Sequence, residues 1–277
     1  MYDGKTTAAG TAPRPTGREA EMKWKRRLWR AGAVLCAAGM LLCGGICLHQ
    51  WGEYRAGETA YDTLSSAVVS PPPEEQTAPG PAQEVTLPQV DFGALAAVNP
   101  SVVGWLYGPD TVLSYPVAQG EDNRYYLTHL FDGTENSAGS LFLDSRCPGL
   151  TGRNSVIYGH YMKNGTLFAC LQEYQAQDYY EAHPNLYLLT PEGTVTIQLF
   201  SAYVTGAEGD AWQLTFPDRE AYGTWLAGLQ ERSCFASAVT PTTADRVITL
   251  STCDYSFSGA RFVCHGLVRE AAAEGER

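Results

Sequence analysis

Past Lys25 the chain has a single lysine, Lys163. Positive charge is concentrated in the first 30 residues, where eight Lys or Arg face three acidic residues, a balance of +5. With −11 overall, residues 31–277 carry −16. A polyanion would be repelled by that surface, which excludes a nucleic-acid partner for the main domain. No C-x-x-C pair occurs, so a cysteine zinc site or a thioredoxin-like motif has no support. No loop sets acidic ligands at EF-hand spacing, and there is no internal repeat. What remains is an ordinary globular composition, 44% apolar over 277 residues, with room for one or two domains.

The one long apolar run is Ala31–Leu48, which holds no charge. Eighteen helical residues span roughly 27 Å, enough for a bilayer core. Trp24, Trp29 and Trp51 flank the run, and Lys23, Lys25, Arg26, Arg27 and Arg30 precede it. That basic flank places the N-terminal side in the cytoplasm and everything downstream outside. A cleaved signal peptide shares the basic flank, but no small-x-small site directly follows Leu48 and the run is long for a signal core. The expected organisation is a basic cytoplasmic tail (1–30, its first 22 residues without structure) and an anchor (31–48). A proline-rich extracellular stalk (49–87) follows, with a helical turn or two at Tyr61–Val69, then a globular domain (88–270) and a short tail (271–277).

Of eight cysteines, Cys36, Cys43 and Cys47 fall in the anchor, and Cys147, Cys170, Cys234, Cys253 and Cys264 are exported. An odd exported number leaves one thiol unpaired within the chain, and Cys253 is the candidate. Pairing among the other four is open, with Cys264 reading as a buried free thiol inside an apolar run.

The globular part alternates short apolar runs with turn residues: Val102–Tyr107, Val112–Val117, Ser140–Asp144, Ser155–Tyr158, Leu186–Leu189, Val195–Val204, Val247–Thr252 and Phe262–Val268. Eight such runs predict a mainly β, antiparallel-rich closed barrel. Two helices interrupt it. Thr166 is placed to cap one carrying Leu167, Phe168 and Leu171, and Pro217 to open another with Tyr222, Trp225, Leu226 and Leu229 as a core stripe.

The run Thr249-Leu250-Ser251-Thr252-Cys253 ends in that unpaired cysteine, and the next run opens on Arg261. A thiol and a guanidinium therefore sit at adjacent strand ends, and Gly159-His160 brings an imidazole from a third. A free thiol near pKa 8.5 is only about 3% thiolate at pH 7, and imidazolium and guanidinium both favour the thiolate. Arginine can also meet a developing oxyanion, and histidine can protonate a leaving amine. This is a cysteine acyl-transfer constellation. His129, His183 and His265 lack comparable context and read as structural or surface residues, as does Lys163. Asp254 reads as a loop acid beside the nucleophile.

With those segments in view, the domain resembles a class B sortase. The resemblance is carried by NSVIYGHYMKNGTLFACL, TLSTCDYSFSGARFVCHG, VNPSVVGWLYGPDTVLSYPVAQGEDNRYYL and SAGSLFLD, and covers roughly residues 88–270. It implies an eight-stranded sortase-type barrel with peripheral helices behind one N-terminal transmembrane helix. Pro217–Leu229 would be the extra helix between strands six and seven. The family's catalytic set falls on Cys253, His160 and Arg261, and its substrate contacts on Asn123, Leu127, Tyr158 and Ser251. The implied activity is cleavage of a C-terminal sorting signal after threonine through a thioacyl-enzyme. Transfer to a peptidoglycan precursor amine would follow, the substrates being secreted proteins that bear the signal. No metal or organic cofactor is implied. The additional exported cysteines depart from the pattern. Three other readings stand beside this one: a pilin-polymerising enzyme with a lysine acceptor, a papain-like or cell-wall hydrolase, and a non-catalytic membrane-tethered binding domain. The hydrolase is disfavoured because the histidine precedes the cysteine by about ninety residues and the cysteine ends a strand. The binding domain has no need of the three-residue set.

Overall fold

The computed structural model describes residues 17–70 and 85–270. The first part of the expected tail, the stretch 71–84 of the expected stalk and residues 271–277 lie outside the described residues. The chain divides into two compact units, Met1–Gly52 and Glu53–Arg277.

Helix α1 (Gly17–Val68) carries the apolar run, with a mean hydropathy of 2.2 in its most apolar window and none of that window buried. It is a candidate membrane span. Two expectations change here. Residues 17–22, expected to lack structure, are helical, and Glu21 pairs with Lys25 one turn on at 2.8 Å. Within residues 49–68, expected as stalk with a helical turn or two at Tyr61–Val69, the helix runs on unbroken to Val68. No proline interrupts them, and Tyr61 and Val68 are buried within the second unit. Val69–Ser70 then pairs with Gln89–Val90 in a two-residue antiparallel ladder.

All eight expected runs are strands: β1 (Val102–Tyr107), β2 (Ser114–Ala118), β3 (Leu141–Leu143), β4 (Asn154–Tyr158), β5 (Asn185–Thr190), β6 (Gly193–Gly206), β7 (Val247–Cys253) and β8 (Ala260–Glu270). They close a barrel in the order β8-β6-β5-β1-β2-β3-β4-β7. Two neighbouring pairs, β2/β3 and β4/β7, are parallel and the rest antiparallel. Strand β2 starts two residues later than expected because Thr111–Leu113 is spent on a turn. There Gly108 N donates to Leu113 O, and Thr111 Oγ1 accepts from Leu113 N. Three further helices, α2 (Phe92–Val98), α3 (Gln177–Ala182) and α4 (Arg219–Glu231), lie outside the barrel wall. The cap of α4 is Asp218, whose carboxylate accepts from Ala221 N, with Pro217 one residue outside it. The helix expected at Thr166 is a 3-10 segment, Phe168–Gln175. Thr166 Oγ1 bonds Asn164 Oδ1 instead of capping it, and Leu167 turns the chain at φ 53°.

Side-chain alternation splits the buried residues into two groups. Phe262 and Cys264 of β8, with Ile248 and Leu250 of β7, point into the barrel core beside Trp105, Leu141, Ile157 and Phe168. Val263 and Leu267 point outward with Val247, and there meet the α4 stripe of Tyr222, Trp225, Leu226 and Leu229. That stripe is core packing, worth roughly 2 kcal/mol per buried side chain.

Candidate active site

On β7 the same alternation gives Thr249, Ser251 and Cys253 one face, opposite Ile248 and Leu250, which sit in the core. The register sets Arg261 directly across from Cys253, and parallel β4 sets Tyr158 against Ser251. Directly paired residues hold their β-carbons about 5 Å apart, so thiol and guanidinium are neighbours by construction. Arg261 Nη1 donates to Ala260 O at 2.9 Å, which steadies the fork at the strand entrance.

His160 follows β4 after Gly159. A Cβ on Gly159 would come within 2.7 Å of the Phe168 ring, so only glycine lets the chain pass and deliver the histidine. His160 Nε2 lies 2.8 Å from the Leu127 carbonyl; since a carbonyl only accepts, Nε2 carries a proton. The thiol of Cys253 and the imidazole of His160 interact, and this interaction is the largest influence on each. It lowers the Cys253 pKa against the opposing effect of burial, and the charge of Arg261 lowers it further. The same interaction raises the His160 pKa, again against burial, with the Leu127 carbonyl and the charge of Cys253 adding to it. Each residue thus favours the charged form of the other, the arrangement that makes a nucleophile near neutral pH. The other four thiols outside α1 go the opposite way. Burial raises Cys147 and Cys234, carries Cys170 to about 12 and pushes Cys264 well up. All of them, like Cys253, are free.

Tyr158, Ser251 and Arg261 line one groove of about 490 Å³ with Arg146, Trp212 and Gln213. Sequence reasoning missed Trp212, whose Nε1 donates to Ser251 Oγ at 3.0 Å and seats the Asp210–Trp212 turn against β7. It also missed Asp144, the last residue of the SAGSLFLD segment. This aspartate is fully buried and has both oxygens in use. Oδ1 accepts from Arg146 N and Nε, and Oδ2 accepts from Arg146 Nη2 at 2.7 Å and from Tyr158 OH at 3.0 Å. Burial alone would raise its pKa; the Arg146 and Tyr158 bonds, with Asn123 close by, outweigh that and hold it at about 2. The signal was available, since an aspartate ending an apolar run in a strand needs a partner.

The structure does not bring all four expected substrate contacts to the groove wall. Tyr158 and Ser251 are there. Asn123 sits behind them, its Oδ1 accepting from Ser145 N at 2.7 Å. Leu127 offers its carbonyl to His160, and its side chain is partly exposed. Asp254 accepts from Gln172 Nε2 at 2.9 Å, and Lys163 is an exposed residue. Among the described residues, no three His, Cys, Asp or Glu side chains gather as a metal cluster.

The family model described as the Sortase domain matches residues 106–268. Sortase B of Listeria monocytogenes is 35% identical over 161 residues, 58% of this chain and 65% of that protein. Sortase B of Staphylococcus aureus is 34% identical over 178 residues, 64% of this chain and 72% of that protein. The matched stretch thus spans about two thirds of these relatives' length. A solved Staphylococcus aureus sortase B-substrate complex superposes with a TM-score of 0.63 at 32% identity, covering 65% of this chain and 85% of that one.

Proposed function

This chain belongs to the sortase family of cysteine transpeptidases, and from that premise we propose that it cleaves a C-terminal sorting signal after threonine and transfers the carrier protein to a cell-wall peptide amine. The observation that carries this reading is the reciprocal Cys253–His160 pair, with Arg261 in register beside it at the head of a peptide-sized groove.

The steps follow from the groups present. The Cys253 thiolate attacks the threonine carbonyl carbon, and the developing oxyanion meets the Arg261 guanidinium. The imidazolium of His160 protonates the departing amine as the tetrahedral adduct collapses to a thioester. An incoming amine then gives its proton to His160 and displaces the thiolate, so a peptide bond is exchanged for a peptide bond and water is not consumed. Extended peptide in the groove would pass Tyr158 and Ser251. The apolar helix would anchor the protein in the cell membrane with its N-terminus inside, where the basic flank favours it.

The test uses the full chain in detergent micelles with quenched sorting-signal peptides and triglycine, products being read by mass spectrometry. Cleavage after threonine with ligation of the amine, absent in Cys253→Ala, is the expected result. A folded protein that yields neither adduct nor product with any peptide would sink the proposal.

A further inference from the structure

The Leu127 carbonyl that fixes His160 belongs to a loop, residues 125–140, whose far side rests on the helical segment Glu53–Val68. The contacts run in sequence. Tyr61 OH donates to Gly139 O at 2.6 Å and lies 2.9 Å from Ser140 Oγ. Ser140 N donates to Tyr126 O and its Oγ to His129 O, while Asn136 N donates to Thr128 O. Gly139, at φ 60°, is pressed against the Tyr126 and Leu127 carbonyls, where a Cβ would come within 2.9 Å of Leu127 O. Asn136 Nδ2 reaches back to Glu53 O at 3.0 Å, and Tyr61 packs edge-on against Tyr115. Gly57 lets the helix approach, since a Cβ there would already lie 3.3 Å from Ala138. The same helix face borders a cavity of about 240 Å³ whose opposite wall includes Met162 and Leu167, from the turn that follows His160. Both segments flanking the histidine are therefore backed by this one helix.

We propose that Glu53–Val68 is a working part of the catalytic unit, with Tyr61 a positioning residue that acts through Gly139, Ser140 and the Leu127 carbonyl to hold His160 against Cys253. Tyr61 touches neither substrate nor nucleophile. Its hydroxyl is buried and spent on the loop backbone, so its loss frees Gly139 and Ser140 to shift and lengthens the Leu127–His160 bond. The imidazole then loses its fixed proton position, and the thiol loses the partner that lowers its pKa. The inference rests on the transpeptidase reading for its kinetic consequence only; the state of the Cys253–His160 pair can be read without any substrate.

The experiment compares full-length wild type, Tyr61→Phe and Gly57→Leu in detergent micelles. The pH profile of Cys253 alkylation by iodoacetamide reports on the pair directly, and kcat and KM per titrated thiol report on turnover. Tyr61→Phe keeps the ring against Tyr115 and removes one buried hydrogen bond. The expectation is an alkylation midpoint moved up toward that of an ordinary thiol, and kcat lowered about fivefold with KM within about twofold. Gly57→Leu leaves Tyr61 in place, lifts the helix off Ala138 and is expected to move the midpoint the same way. If both variants lose only thermal stability, with midpoint and kcat per thiol unchanged, the helix is packing alone and the proposal falls. Should wild type ligate no peptide, the transpeptidase reading fails, while the alkylation midpoints still decide for or against Tyr61.

Discussion

Strands β7 and β8 carry two histidine environments on the same outer surface of the barrel, and the two behave oppositely. At the open end, Ser251 and Arg261 border the groove, Cys253 stands across from Arg261, and His160 is raised in pKa by the thiol it faces. Toward the other end, under α4, His265 is fully buried between Phe200, Tyr203 and Trp225, and burial drives its pKa down to about 3. Its Nδ1 donates to Thr249 Oγ1 at 2.9 Å, because that hydroxyl gives its own proton to Asn154 Oδ1. Burial penalises charge at both sites; only a partner able to become an anion reverses the sign. The same strand pair thus faces one imidazole ready to ionise and carries one kept neutral, according to whether a thiol or a hydroxyl meets it.

The sharpest way to break that contrast is to remove the reversing partner. Cys253→Ala is expected to lower transpeptidation by at least about 10³-fold, the nucleophile being lost outright. His160→Ala should return the Cys253 thiol toward its ordinary range. Its alkylation rate at pH 7 would then fall toward that of a thiol that is about 3% ionised. In wild type, iodoacetamide should label Cys253 before Cys147, Cys170, Cys234 and Cys264, as peptide mapping would show; equal labelling would contradict the opposite pKa directions of these thiols. Arg261→Met should cost about 10²-fold in kcat with little change in KM, the signature of a group needed mainly in the transition state. A loss confined to KM would reassign Arg261 to substrate binding.

A milder prediction concerns the carboxylate behind the groove. Asp144 has its pKa lowered by partners gained on folding, so the stability it contributes is present above the unfolded pKa near 4 and is lost as pH falls toward 2. Asp144→Asn is expected to destabilise by about 2 kcal/mol at pH 7 in urea unfolding. Arg146 loses its bidentate partner and Tyr158 its acceptor, so KM for signal peptides should rise as well. Unchanged KM alongside lost stability would limit Asp144 to a structural role.

Much of this was legible because the local signals agreed. The eight strand runs, Cys253, His160 and Arg261 could be read from alternation and residue chemistry, since a strand end fixes where a side chain emerges. Helix α4 was legible too, its apolar stripe matching one face. What escaped depends on pairing across sequence distance. Residues 49–68 read as the start of a proline-rich spacer with only a helical turn or two at Tyr61–Val69; the burial of Tyr61 depends on loop 125–140, which sequence does not place beside it. Thr166 has the chemistry of a cap, but the positive φ of Leu167 redirects the chain, and Asn164 takes the hydroxyl. Trp212 could not be assigned to Ser251 because the turn that carries it has no periodicity of its own. The partnership of Asp144 with Asn123 and Tyr158 joins three segments separated in sequence, though the need for some partner was readable.

The smallest expected effect tests the neutral histidine. Folded His265 titrates near 3, while the unfolded residue titrates near 6.5, so below pH 6.5 the unfolded chain binds the extra proton. The stability it contributes is complete above pH 6.5 and declines as pH falls toward 3, at about 1.4 kcal/mol per pH unit. Among charged groups, Arg232 lies nearby, over the Tyr203 ring at 4.6 Å, and disfavours a second positive charge there. His265→Gln keeps a donor for Thr249 without a titrating ring. Comparing urea unfolding at pH 7.5 and 5.5, wild type should lose about 1.4 kcal/mol more than the variant. Equal losses would mean that His265 gains a proton while folded, which requires a partner for its Nε2, now buried without one. The contrast between the two histidines would then rest on access to water and no longer on the chemistry of the residue each one faces.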